Sequence, residues 1–284
     1  MSSPYGSSHA NGDMSKYDAE LIGKGRTAEL FRVDAKTVLK LFFEPTDEAK
    51  ARHEVARMEI VNRLGLNVPR CHGLETQAGR PGIRYEYIAG RSMVERLQRN
   101  PLSARSCARI LAREHLAIHA HGVSELPDET ERFAATLARV KSQLGDRYEP
   151  VRAALSRSVS GTQLCHGDFH PDNILLSKNG PIVIDWNDCY AGTPAGDVAR
   201  TYLILSAPTL PDDLAPILRS FVRRLKRFLA KSYLTEYLRY SEIAAQAVDG
   251  WMGLVAAVRL AENVPGEAEW LQGIVDMHYA PKRA

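Results

Sequence analysis

The feature that most constrains the fold is a change in hydrophobic periodicity along the chain. Residues 21–43 alternate short β-type runs with turn signals, a pattern that predicts antiparallel hairpins. Residues 46–64 then place apolar side chains at helical spacing, and one further β-type run covers 83–90. Beyond Gly90 the apolar spacing is helical over most of the chain. The pattern therefore predicts an α+β protein, with a small antiparallel-sheet lobe that contains one helix and a larger, mainly helical lobe.

The same pattern divides the chain into three parts. Residues 1–16 are rich in Ser and Gly and have no apolar period, which predicts a disordered leader. We expect an N-terminal lobe over 17–89 and a C-terminal lobe over 90–284, where helices at 102–119 and two more within 128–157 are predicted.

Composition excludes several classes of protein. An apolar fraction of 44% and a charged fraction of 25% are ordinary for a globular protein and exclude collagen-like, coiled-coil and wholly disordered chains. A formal charge of +3 over 284 residues gives no general attraction to nucleic acid or anionic lipid. No apolar run approaches the roughly 18 to 20 residues that a membrane span needs. We therefore expect neither nucleic acid nor membrane as a partner.

The cysteines indicate a reducing compartment. Cys71, Cys107, Cys165 and Cys189 are scattered without a CxxC pair, and nothing near the N-terminus resembles a signal peptide. We expect four free and mostly buried thiols in a cytoplasmic protein, because a zinc site needs clustered ligands.

The segment 164–201 carries the chemistry. His166, Asp168 and Asn173 follow the spacing H-x-D-x-x-x-x-N of a kinase catalytic loop. Phosphoryl transfer needs a carboxylate to orient the acceptor hydroxyl and oxygen ligands to hold Mg²⁺ against the phosphates. A predicted hairpin around an Asn-Gly pair then returns Asp185 to the neighbourhood of Asn173.

The loop HGDFHPDNIL resembles that of the aminoglycoside phosphotransferase and choline kinase family. The resemblance covers roughly residues 21–201 and implies a bilobal, protein-kinase-like fold that moves the γ-phosphate of ATP or GTP to a hydroxyl, with Mg²⁺. It further implies that Asp168 is the catalytic residue and that Asn173 and Asp185 bind the metal. His166 and Asp197, the latter in GTPAGDVA, would support the loop.

The N-terminal part contains the residues that such a nucleotide site requires. Gly23 and Gly25 lie where a hairpin would fold closely over phosphates, and Lys40 lies in the apolar strand TVLKLFF, as the family's phosphate-binding lysine does. A buried Lys is costly unless it is paired. Its expected partner is Glu54 on the following helix, with Glu59 as the alternative.

The run IRYEYIAG resembles the family's adenine-binding hinge. By position, the carbonyl of Glu86 and the N–H of Ile88 would contact the base. Backbone contacts leave almost no side-chain signature, so the end of an ordinary strand explains these two residues nearly as well.

The acceptor is predicted to be a small molecule, of the kind represented by an aminoglycoside, macrolide, choline, homoserine or sugar. Protein kinases carry Arg between the catalytic-loop His and Asp, where it can pair with a phosphorylated activation segment. Here that residue is Gly167, and the short stretch between Asp185 and Asp197 leaves no room for a peptide-docking platform. The sequence decides neither which acceptor is used nor the oligomeric state.

Three competing hypotheses remain. A catalytically silent, kinase-like nucleotide-binding protein should have lost one of the catalytic or metal-binding residues, yet all are present. The basic stretch 218–231 carries Leu218, Phe221 and Phe228 on one face, and a solvated outer face is favoured over a nucleic-acid surface. His115 and His119 have zinc-pair spacing, but without an HExxH glutamate or an evident third ligand they are predicted to be packed core histidines.

Overall fold

The computed structural model describes residues 19–25, 27–44, 47–210 and 214–279. The predicted leader at 1–16 lies outside these ranges. The described chain forms two compact units, one built from the residues up to Arg63 with Val68–Ala89, the other from Leu64–Asn67 with Gly90 onward. The α+β class is confirmed: an antiparallel sheet comes first and helices dominate afterwards.

The first unit is a five-stranded antiparallel sheet with one helix. Its elements are β1 (Glu20–Lys24), β2 (Ala28–Arg32), β3 (Thr37–Phe42), α1 (Glu48–Arg63), β4 (Cys71–Gln77) and β5 (Arg80–Glu86). The strand order is β1-β2-β3-β5-β4. Ala78 and Gly79 join β4 to β5 with positive φ angles of 51° and 75°, the two-residue turn whose twist matches a hairpin.

The core of this unit lies between the sheet and α1. Phe42 and Ile83 from the sheet pack with Ala51 and Val55 from the helix. The central strand β3 is apolar on both faces, and Lys40 is its one charged residue.

The second unit contains two small sheets and nine α-helices among the described residues. Its strands are β6 (Gly90–Ser92), β7 (Gln163–Cys165), β8 (Ile174–Ser177), β9 (Gly180–Val183) and β10 (Tyr190–Gly192). Its helices are α2 (Met93–Arg99), α3 (Ala104–His119), α4 (Glu129–Arg139), α5 (Lys141–Leu144), α6 (Tyr148–Arg157), α7 (Pro194–Ser206), α8 (Pro216–Tyr240), α9 (Ala245–Arg259) and α10 (Ala268–Tyr279). The sheets have the orders β6-β8-β9 and β10-β7. None of the described helices is long and apolar enough to cross a bilayer.

Three local predictions were wrong. The region 128–157 holds three helices rather than two, because the short α5 ends at Gly145, where φ is positive. The β-type run 83–90 is divided between β5, which ends at Glu86, and β6, which pairs with β8. The hairpin turn after β8 is Lys178 and Asn179, since Gly180 already pairs with Ser177.

The apolar face of α8 is buried only in part. Leu229, Tyr233 and Tyr237 are buried. The two tyrosine hydroxyls form hydrogen bonds with histidines on α3. Phe221 and Phe228 keep 50% and 49% of their surface exposed, because they lie on the helix surface turned away from that packing.

Candidate active site

The catalytic-loop segment begins where β7 ends, and one buried carboxylate holds its backbone. Asp197, in the first turn of α7, accepts hydrogen bonds from the N–H of His166 at 2.7 Å and of Gly167 at 3.0 Å. The His166 ring is buried, with its Nε2 3.1 Å from the carbonyl of Ile184. The two residues predicted as loop supports therefore contact the loop directly.

Gly167 is required by the backbone at this point. Its φ is +78°, in the left-handed region, and a Cβ on this residue would collide with the carbonyl of Asp188. The side chain that protein kinases carry at this position has no space here.

Asp168 is a partly exposed carboxylate held from both sides. The Asn173 amide donates to its carbonyl at 2.8 Å, His170 Nε2 lies 3.3 Å from Oδ2, and Arg200 lies 3.6 Å from Oδ1. Burial alone would raise the pKa of Asp168. The hydrogen bond from His170 and the nearby positive charges, including that of Arg200, outweigh burial and hold the pKa well below its usual range. The group is thus an ionised acceptor for a proton at neutral pH.

A hairpin brings Asp185 back to Asn173. The pairing of β8 with β9 sets Ile174 opposite Val183, and the Ile184 N–H donates to the Asn173 carbonyl at 3.0 Å. Asp185 follows with a φ of +62°, unusual for a residue other than glycine, and its carboxylate is exposed.

The donor atoms here suit a hard divalent cation. Asn173 uses its Nδ2 for the hydrogen bonds to Asp168, which leaves the amide oxygen for a ligand. Asp185 accepts at Oδ1 from Asn187 at 2.8 Å and offers its second oxygen. Carboxylate and amide oxygens are the ligands that Mg²⁺ prefers.

In the first unit, Lys40 forms an ion pair with Glu54. Lys40 Nζ lies 2.8 and 2.9 Å from the two carboxylate oxygens of Glu54, which also accepts from the Tyr85 hydroxyl at 2.7 Å. Glu54 is 4% exposed, whereas Glu59 is exposed on the outer face of α1. Of the two predicted partners, Glu54 is therefore the one in contact.

The other nucleotide-site predictions fall at strand ends. Gly23 lies in β1 opposite Leu30, and the Gly25 N–H closes a turn to the Ala28 carbonyl at 2.8 Å. Neither glycine has a positive φ. Glu86 is the last residue of β5, and Ile88 lies beyond it.

A model of the phosphotransferase enzyme family matches residues 18–243. The chain belongs to this family. No curated protein matches it by sequence.

Solved structures of family members share the fold. An apo thermostable mutant of aminoglycoside phosphotransferase APH(4)-Ia is 16% identical, with a TM-score of 0.64 over 92% of this chain and 94% of that chain. The ternary complex of APH(2")-IIa with streptomycin and ATP is 14% identical, with a TM-score of 0.60 over 94% and 95%. Amicoumacin kinase hAmiN, with AMP-PNP, Ca²⁺ and Ami, is 13% identical, with a TM-score of 0.58 over 92% and 87%. The TM-scores establish a common fold, and at these identities the likeness shows the fold alone.

A chain of ion pairs that begins at Arg200, beside Asp168, was not predicted. Arg200 donates through Nε to the Gly167 carbonyl and pairs through Nη1 with Glu262 at 2.6 Å. Glu262 also pairs with Arg259 at 2.7 Å, and Arg259 pairs with Glu267 at 2.8 Å. The available signal was an arginine one helical turn after Asp197 in an otherwise apolar helix. Its acidic partner lies far along the chain.

The histidine pair on α3 is buried, as predicted, and Asp197 lies beside it as a third group that the sequence did not reveal. His115 Nε2 and His119 Nε2 lie 3.0 and 3.3 Å from Oδ2 of Asp197, and their Nδ1 atoms lie 2.6 and 2.7 Å from the hydroxyls of Tyr233 and Tyr237. Ligand atoms of these two histidines and Asp197 all lie within 4.8 Å of one another.

Hydrogen bonding accounts for this cluster. Burial lowers the pKa of His115 to about 3, so the ring is neutral and donates one N–H to Asp197. Burial alone would raise the pKa of Asp197, but hydrogen bonds from His115 and His119 hold it well below its usual range. The histidines therefore stabilise the carboxylate that holds the catalytic-loop backbone.

Proposed function

We propose that this chain transfers the γ-phosphate of ATP or GTP to a hydroxyl group of a small molecule, with Mg²⁺. The observation that carries the proposal is the position of an ionised carboxylate, Asp168, in the same loop as Asn173, to which the β8–β9 hairpin returns Asp185. Phosphoryl transfer depends mainly on positioning the reactants and on stabilising the charge of the phosphoryl group, and this arrangement serves both.

Asp168 would act on the acceptor. Its carboxylate would accept the proton of the hydroxyl as the acceptor oxygen bonds to the γ-phosphorus and the bond to the β-γ bridging oxygen breaks. An ionised group that is partly exposed suits this role, because it can meet a hydroxyl without first losing a proton. Arg200 would keep the carboxylate oriented.

The remaining residues would hold the nucleotide. Asn173 and Asp185 would bind Mg²⁺, which neutralises phosphate charge when bound. Lys40, fixed by Glu54, would contact the phosphates. Gly23 and Gly25 would let the first hairpin approach the phosphates, and the Glu86 carbonyl and Ile88 N–H would contact the base.

Comparison with the relatives favours a small acceptor. APH(2")-IIa is in complex with streptomycin and amicoumacin kinase is in complex with Ami, and at these identities the compounds do not transfer to this chain. The lack of space beside Gly167 for the protein-kinase arginine supports the same proposal. Cys71, Cys107 and Cys165 are free thiols, and Cys107, Cys165 and Cys189 are buried, which suits the reducing cytoplasm.

The second candidate function is that of a catalytically silent nucleotide-binding protein. A measurement of turnover distinguishes it from the first. We propose to measure nucleotide consumption with Mg-ATP or Mg-GTP against aminoglycosides, macrolides, choline, homoserine and sugars, with general kinase peptides in parallel. Mass spectrometry would identify the phosphorylated product. Turnover with one class of small hydroxyl compound is expected. Nucleotide binding without turnover on any acceptor would favour the silent protein, and robust peptide phosphorylation would contradict the small-molecule proposal.

A further inference from the structure

A groove lies among the helices of the second unit. Residues of α7 to α10 line this groove, which has a volume of about 470 Å³. No residue of the segment 164–201 is among those that line it. None of the residues assigned to the proposed transfer reaction therefore lines this groove.

One wall of this groove is strongly basic. Arg223, Arg227 and Lys231, one and two turns apart on α8, line it with exposed side chains. Among the described residues, none forms an ion pair with these three cations, and Asp249 is the one acid in the lining. Uncompensated cations around a concave surface create a positive potential that attracts an anion.

A fourth cation in the groove has a different role. Lys226 donates to the carbonyls of Ala207 at 2.7 Å and Thr209 at 3.0 Å, and burial lowers its pKa. Its ammonium is already satisfied by the backbone and anchors the chain that leaves α7. The charge available to a ligand is that of the three exposed cations.

The facing wall is apolar. Trp270, Ile274 and Met277 from α10 and Met252 from α9 line the groove, and Met277 is 77% exposed. Methionine and tryptophan side chains adapt to apolar ligands of varied shape. A cavity with apolar walls and a few convergent charged groups is the usual form of a small-molecule site.

We propose that this groove binds a small amphipathic organic anion, with a carboxylate held by Arg223, Arg227 and Lys231 and an apolar body against Trp270 and Met252. The same charges repel cationic compounds. The proposal is independent of the acceptor of the phosphotransfer reaction.

The test uses a matched pair of probes, decanoate and decylammonium, below their micelle concentrations. Binding to the full chain is measured by calorimetry and by the change in tryptophan fluorescence. We expect saturable binding of decanoate at least about tenfold tighter than that of decylammonium, since the chains are equal and only the charge differs.

Variants locate the site. Arg227→Gln and Lys231→Gln should each weaken decanoate binding about threefold to fivefold, the size expected for an exposed charge pair. Arg224→Gln removes the same charge from α8 but outside the groove, and it should change the affinity for decanoate by less than about twofold. These exposed substitutions leave the packed face of α8 unchanged, and circular dichroism verifies folding. Equal binding of the two probes, equal effects of all three variants, or no saturable binding would each overturn the proposal.

Discussion

Replacing Arg200 by Met should reveal two separate roles of this side chain, one in the stability of the fold and one in positioning Asp168. The guanidinium makes three contacts: a hydrogen bond to the Gly167 carbonyl, an ion pair with Glu262 at 2.6 Å, and an approach of 3.6 Å to Asp168. Its side chain is 9% exposed. The substitution keeps most of the side-chain volume and removes the charge and the donors.

The magnitude follows from what the substitution leaves behind. Glu262 keeps its pair with Arg259 at 2.7 Å, and Asp168 keeps His170 and Asn173, so no carboxylate is stranded. We therefore expect a loss of about 2–4 kcal/mol in the free energy of unfolding, at or below the cost of breaking an isolated buried pair. Misalignment of Asp168 should lower kcat by about 10- to 100-fold with little change in the KM for nucleotide.

The acid limb of the kcat profile provides an independent readout. Asp168 must be ionised to accept a proton, so its low pKa should keep the proposed transfer active into acid. Without the Arg200 charge that pKa rises, so the limb should move to higher pH. Arg147→Met, which removes a partly exposed pair with Asp276 on α10, is the control and should leave kcat within about twofold. A folded Arg200→Met enzyme with unchanged kcat and an unmoved acid limb would refute the positioning role.

Three further predictions concern the metal site, the lysine pair and a buried acid. Asp185→Ala should weaken Mg-nucleotide binding at least about tenfold in calorimetry, because a hard oxygen ligand is lost; unchanged affinity would contradict the metal role. Glu54→Gln should raise the KM for nucleotide about tenfold by releasing Lys40, while the exposed Glu59→Gln should not; equal effects would exclude the pair. Burial raises the pKa of Glu129 to about 7, because the folded state favours the neutral carboxyl. The stability that this preference contributes is complete below about pH 4.5 and is lost as the pH rises through 7. Urea unfolding at about pH 5 and pH 8 should therefore show a decrease on the order of 3 kcal/mol from this group that Glu129→Gln lacks; identical pH slopes would contradict it.

Local spacing explains why much of the candidate site was predictable. His166, Asp168 and Asn173 lie within one loop, and the hairpin that returns Asp185 to Asn173 follows from two β-type runs and a short turn. The sheet-then-helix order also follows from periodicity alone, because side chains repeat every 2 residues in strands and every 3.6 in helices.

Contacts between distant segments were not predictable in the same way. The pairing of Arg200 with Glu262 depends on how α9 packs against α7, and no periodic signal identifies which acid meets which arginine. Asp197 joins His115 across 82 residues for the same reason. Periodicity marks an apolar face on α8, but it does not show which residues of that face another element covers.

The most direct test of the central claim compares Asp168→Ala with the native chain in transfer of labelled γ-phosphate to the acceptor found in the panel, alongside nucleotide affinity. Transfer should fall by about 10²- to 10⁴-fold, since the proton acceptor and its orienting contact are lost. Nucleotide affinity should stay within about twofold, because Asp168 is proposed to contact the acceptor hydroxyl rather than the nucleotide. A variant that keeps half of the native transfer rate would contradict the account.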